Sequence, residues 1–444
     1  MLRREAVWEN MRGALWVLPT IAVVVALVLG SALSTVNPRP GSWLNRLAFQ
    51  GTPDDARTLL IGISATMITV VALILGLTVV ALQLSSTQFS PRILRNFLRD
   101  RSNQLVLSVF VATFAYSIAG LYTVGVSAGN RTGDYPRLAV SWALVLLFLS
   151  LAALVYEIHH LTHSLQIDEI MRTVERGTRE VVRRGLPEVS HAALPEVPGS
   201  ATAVVSAHTG YVQTMHPDAV VSVAARRAVT VRMAARVGDH VTAGATPLAW
   251  VWSRSGPAAV TSPGVPLAAR EELGRAVDQA VRIGFERTLE QDAAFGLRQL
   301  VDVASKALSP AVNDPYTAVQ AVDHLSAIMV SLARRELGPL VLSAGPGGDT
   351  VGVPAYTFAE YLDLSCAQIR RYGAREPTVL LALVRLLRDC AAVTSDEGRR
   401  ATIGRQLDLL EQDGTREIVQ SADLTAVIDA AAALRRELAP GATR

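Results

Sequence analysis

Two groupings of side chains in this 444-residue chain have the types and spacing for ligation. In Tyr-Glu-Ile-His-His-Leu-Thr-His, His159 and His163 stand four residues apart and so share one face of a helix; with Glu157 they are weak candidates for a metal site. No cysteine or further histidine cluster accompanies them, and the same residue types suit a membrane's headgroup zone without any ligand. In the second grouping, Asp292, Asp302, Asn313 and Asp314 bring three carboxylates and an amide near a break at Ser309-Pro310. A bound cation or small ligand is one reading. Helix capping plus solvated acids is the other, since Asn-Asp-Pro is a common way to start a helix. The chain holds no nucleophile elbow, zinc-protease helix or dinucleotide fingerprint, and Gly345-Pro-Gly-Gly-Asp349 lacks the Gly-Lys-Ser/Thr of a phosphate loop. The expectation is a protein that is not an enzyme and carries no cofactor or resident metal.

The elements that must position these residues begin with four apolar stretches, 13 to 33, 58 to 84, 103 to 127 and 138 to 160, with no charge before Glu157. A hydrocarbon core of about 30 Å needs roughly 20 helical residues, so each stretch is long enough to cross. The fold class expected is a polytopic α-helical membrane protein: four transmembrane helices, then a cytoplasmic α+β region built of a small barrel-sandwich-like β-domain and a helical bundle. The domains are read as 1–163 (membrane), 164–199 (juxtamembrane helix and linker), 200–265 (β-domain) and 266–444 (helical domain). Arg3, Arg4 and Arg12 lie before the first stretch, and Arg92, Arg95, Arg99 and Arg101 after the second. Positive-inside reasoning then puts both termini in the cytoplasm of a bacterial inner membrane. A cleaved signal peptide is the rival reading of residues 1–33; that run is long for an h-region, and three more stretches follow.

On the second stretch Gly62, Ala65, Thr66, Thr69, Ala72, Gly76, Gln83 and Thr87 share one face, interrupted by Leu73 and Val80. Small residues and threonines let helices pack closely, which suggests a homo-oligomer. The functional alternative is a solute path, with Thr66, Thr69, Gly76 and Gln83 as pore-lining candidates. After Ser90-Pro91, apolar residues fall on one side of a short helix and Arg92, Arg95 and Arg99 on the other, as in an interfacial helix touching anionic lipid headgroups.

A net charge of +3 is too small to argue for nucleic acid. Cys366 and Cys390 read as packing residues, and Lys306 is the only lysine among 42 basic residues. Past the proline-rich linker, short valine-rich runs at 201–206, 210–214, 228–235 and 247–252 predict strands, with a short helix over 216–227. The tract from Arg236 to Val251 resembles the turn-and-strand signature of biotinyl and lipoyl carrier domains. No lysine lies between residues 201 and 262 to take such a cofactor, so the likeness extends to shape alone. One long helix is expected from about 270 to 307, a second capped by Asn313 or Asp314 with Pro315 in its first turn, and three or four more over 357–438.

Two long tracts, Ala81 to Arg101 and Gln291 to Ala318, together resemble the predicted bacterial membrane proteins grouped as domain of unknown function 2254. The likeness covers most of the chain. It implies architecture and carries over no activity; Lys306 sits where such a tract more often has arginine. The functional expectation is an oligomeric channel or transport-related protein for an ion or small solute with a cytoplasmic regulatory region. The alternative is a non-conducting membrane scaffold or sensor that binds a cytoplasmic partner.

Overall fold

The computed structural model describes residues 16–34, 46, 48–88, 101–128, 135–164, 166–184, 193–253, 266–343 and 350–439. The chain divides into two compact units, Met1–Ile170 and Met171–Arg444.

In the first unit, α1 (Val17–Ser34), α2 (Pro53–Gln88), α3 (Arg101–Ala128) and α4 (Arg137–Ser164) pack around a core that includes Leu60, Met67, Phe110 and Tyr116. A reciprocal Thr52–Asp55 cap with Pro53 in the first turn starts α2. Two glycines allow close approach: a Cβ on Gly30 would meet Tyr116, and one on Gly120 would meet Leu60, each at 3.3 Å. Polar groups of α3 are satisfied inside the unit, Thr113 with Ser150 at 2.9 Å and the Tyr116 hydroxyl donating to Ala139 O at 2.8 Å.

The expected four spans are corrected to three among the described residues. Pro53–Val80, Arg101–Val124 and Arg137–His160 are long and apolar enough to cross a membrane, whereas the fourth apolar helix, Val17–Leu33, is shorter. At 1.5 Å per residue the 18 residues of α1 rise only about 27 Å, below a hydrocarbon core of about 30 Å. The sequence count of that run included residues 13 to 15, which lie outside the described residues.

α5 (Ile167–Arg184) carries the chain across the boundary into the second unit and buries Met171, Val174, Val181 and Val182. The barrel-sandwich expectation is also corrected, because two open sheets stand in its place. One has the order β1 (Thr202–Val205), β5 (Pro247–Ser253), β3 (Val229–Met233), β8 (Thr350–Val353), β7 (Leu340–Ser343); the other has β4 (His240–Val241), β2 (Gly210–Met215), β6 (Val281–Gly284). β1 and β7 border the first sheet and β4 and β6 the second, so neither closes on itself. Three of the eight strands come from beyond residue 265, and β8 joins β3 in parallel through Val231 and Val351. β1, β2, β3 and β5 lie in the valine-rich runs read as strands, and α6 (Asp218–Arg227) lies in the stretch read as a short helix. With α7 (Leu267–Ala280), α6 packs on a core containing Val231, Met233, Val251, Leu273 and Val277.

The single helix expected over 270–307 is two helices. Val281 leaves α7 in an extended conformation, β6 pairs with β2, and α8 (Ala293–Ala307) begins only after Asp292. α9 (Pro315–Ala333) starts as expected, with Asp314 accepting from the Thr317 amide at 3.1 Å and Pro315 in the first turn. Four helices follow, α10 (Phe358–Tyr372), α11 (Pro377–Ala392), α12 (Glu397–Glu417) and α13 (Ser421–Leu438). Cys366 and Cys390 are buried free thiols; burial pushes the Cys366 thiol up to about 12 and Cys390 upward as well, which suits packing residues. The Gly345–Asp349 loop lies outside the described residues.

Candidate functional site

The face of α2 singled out in the sequence points away from its own bundle. Ala56, Leu60, Ile63, Met67 and Ile74 are buried. Gly62, Ala65, Thr66, Thr69, Ala72, Gly76 and Gln83 are exposed on the opposite side. A Cβ on Gly62 or Gly76 would meet nothing within 4 Å. The Thr66 and Thr69 hydroxyls donate to Gly62 O at 2.8 Å and Ala65 O at 3.0 Å, so neither donor is stranded on an apolar face. Leu73 and Val80 are exposed on the same side.

The proposed histidine grouping is divided. Glu157 is 3% exposed while His159 is exposed, and the His163 side chain lies outside the described residues. Among the described residues no group of three or more His, Cys, Asp or Glu side chains is placed to hold a metal. Arg92, Arg95 and Arg99 lie outside the described residues.

The second grouping is also divided. Asp292 caps the start of α8, while Asn313, at φ +48°, and Asp314 follow its end. Fifteen helical residues separate the two, about 22 Å at 1.5 Å each. Asp302 lies between them on α8, half-buried. Asp292 borders a cavity of about 280 Å³.

That cavity is built from distant stretches of chain. Asp292, 3% exposed, accepts from Arg287 Nε at 2.8 Å and a second Arg287 nitrogen at 2.9 Å, and from the Phe295 amide at 2.9 Å. Burial raises its carboxyl above the ordinary range, and Arg287 opposes that rise. The turn at Arg236–Asp239 presses on the pair: Gly238, at φ +93°, has no room for a Cβ, which would stand 2.5 Å from Asp292 Oδ2. Arg236 reaches Glu360 at 2.7 Å and lies 4.2 Å from the Tyr356 ring centroid, whose ring is 5.2 Å from that of Tyr361. Gln291 Oε1 accepts from the Met215 amide at 2.9 Å and ties β2 to the same wall.

Sequence reasoning found Asp292 but missed Arg236, Arg287, Tyr356 and Tyr361. One signal was present. The turn read as carrier-like, Arg236-Val-Gly-Asp239, and the long tract starting at Gln291-Asp292 meet at this cavity. With its arginines already opposed by Asp292, Asp239 and Glu360, the site holds paired polar groups around a small, mostly apolar space.

Three apolar helices long enough to span a bilayer, followed by a unit of two open sheets and a helical bundle, define a multi-pass membrane protein with an appended α+β region. The chain belongs to the bacterial family described as "Predicted membrane protein (DUF2254)", which matches residues 12–389. It is similar to an uncharacterized protein of Mycobacterium bovis and one of Mycobacterium tuberculosis, each 45% identical over 437 residues, or 97% of this chain and 82% of the relative. No solved structure matches it.

Proposed function

We propose that this protein is an oligomeric membrane channel or transport-related protein for an ion or small solute, with the α+β region cytoplasmic and regulatory. The observation that supports this reading is the direction of the small, polar face of α2. Small residues facing lipid forgo the contacts that long apolar side chains make, but they let another backbone approach closely. This face is turned from the bundle formed by the described helices, which suits an approach by another copy, and copies meeting there would set Thr66, Thr69 and Gln83 around a shared axis. The arginine bias supports a cytoplasmic second unit.

The alternative is a non-conducting scaffold whose α2 faces pack without leaving a path. Internally bonded threonines suit that arrangement as well. Cysteine substitution separates the two. In intact membranes Thr66→Cys, Thr69→Cys and Gln83→Cys should react with a water-soluble thiol reagent if the path is wet, while Met67→Cys on the buried face should not. Unreactive cysteines together with no flux through reconstituted vesicles would leave only the scaffold.

A further inference from the structure

A second feature of the α+β unit lies apart from the Asp292 cavity. Arg172, Arg176, Arg179 and Arg183 recur at i, i+4, i+7 and i+11 on α5, which puts all four on one exposed face. Arg334 and Arg335, just past the end of α9, converge on them across a groove of about 500 Å³. Six arginines against two glutamates leave a surplus of four positive charges in one concave place.

The acids present are already engaged. Glu175 divides itself between Arg179 at 3.1 Å and His324 at 2.7 Å, and Glu180 holds Arg183 at 2.6 Å. Arg335 has a structural task, donating to Arg183 O at 2.9 Å and so satisfying a carbonyl at the end of α5. Arg176 and Arg334 are exposed and make no ion pair among the described residues. Arginines near the ends of α5 and α9 complement the helix dipoles, but that effect fades within a turn. It does not reach Arg172 or Arg176, each two turns or more from the C-terminal end of α5. A merely solvated arginine face would not need like charges from a second helix gathered against it.

We propose that this groove binds a phosphate-bearing anion, with Arg176 and Arg334 as its principal contacts. Guanidinium forks match phosphate oxygens in pairs, and a groove of this volume admits a compact phosphorylated solute. The same chemistry is offered by a lipid headgroup, since α5 begins three residues after α4 ends. The proposal is independent of whether the membrane unit conducts.

The test uses the full chain in neutral detergent micelles, titrated calorimetrically with inorganic pyrophosphate, and in parallel carried in micelles doped with phosphatidylglycerol and weighed by native mass spectrometry. Arg176→Ala/Arg334→Ala should weaken the anion roughly tenfold or more, as expected for the loss of two charged contacts. Ser331→Glu, which adds a carboxylate to the groove and removes no arginine, should give a comparable loss and guards against misfolding of the double variant. Pyrophosphate binding lost in both variants supports the site with a free phosphorylated solute. Retained phosphatidylglycerol lost in both, without pyrophosphate binding, supports it with a headgroup. Absence of binding by either anion, or binding equal in wild type and variants, would overturn it.

Discussion

Asp292 accepts from Arg287 through both carboxylate oxygens, at 2.8 and 2.9 Å, while Oδ1 also takes the Phe295 amide, so one side chain caps α8 and neutralises a guanidinium. Asp292→Ala removes both functions and leaves Arg287 without its acid beside a buried wall. A loss of about 3 kcal/mol is expected, from breaking a buried pair together with a helix cap. Asp292→Asn keeps the cap acceptor and should cost clearly less. Denaturant unfolding of the two variants checks the order; equal losses would mean that the cap to the Phe295 amide contributes nothing beyond the ion pair.

Gly238 is the second test of the same wall. Its φ of +93° disfavours any L side chain, and a Cβ would stand 2.5 Å from Asp292 Oδ2 and 2.7 Å from an Arg287 nitrogen. Gly238→Ala should therefore destabilise by about 2 kcal/mol or more. Gly244, at φ +71° but with nothing within 4 Å, carries the conformational cost alone, so Gly244→Ala should be milder. A thermal melt in which Gly244→Ala equals or exceeds Gly238→Ala would contradict the close approach.

The acid limb of stability separates two carboxylates of opposite sign. Burial alone would raise Glu360, but bonds from the Thr357 amide, Arg236 and the Thr357 hydroxyl outweigh it and lower its pKa. A lowered acid contributes stability above its unfolded value, about 4.3, which is lost as pH falls through the folded value. Asp292, raised by burial, runs the other way: its contribution is present below its unfolded value, about 3.9, and is lost as pH rises through the folded one. Relative to wild type, Glu360→Gln should thus lose its disadvantage on acidification below about pH 4, while the disadvantage of Asp292→Asn should grow as pH falls towards about 4 and stay constant below it. Unfolding midpoints between pH 7 and pH 3 report both, and parallel curves for the two variants would refute the assignment.

What the sequence made legible was local. Asp314-Pro315 marks the start of α9, and short valine-rich runs mark four strands, because each signal lies within a few residues of what it specifies. β6 was not legible. Val281 to Gly284 continue the composition of α7, and they leave the helix to pair with β2, about 70 residues earlier in the chain. β8 joins β3 across more than 100 residues, and a parallel pairing of that separation has no turn signature. The cavity escaped for the same reason. Arg236, Arg287, Asp292, Tyr356 and Tyr361 become neighbours only once both sheets are assembled.

The last prediction concerns the outward face of α2. Gly62 and Gly76 have open space where a Cβ would stand, so Gly62→Leu and Gly76→Leu should leave the fold of the single chain nearly unchanged. The added side chains would nonetheless hold a neighbouring backbone away, and loss of close packing between copies is the expected result. Gly120→Leu is the contrasting variant, because it would strike Leu60 inside the bundle, where the present gap is 3.3 Å, and should lower thermal stability itself. Light scattering on the detergent-solubilised protein gives the subunit count, and a melt gives the fold. If the two outward variants keep both the wild-type subunit count and the wild-type flux, the α2 face is no contact between copies and the reading of it as a pore wall goes with it.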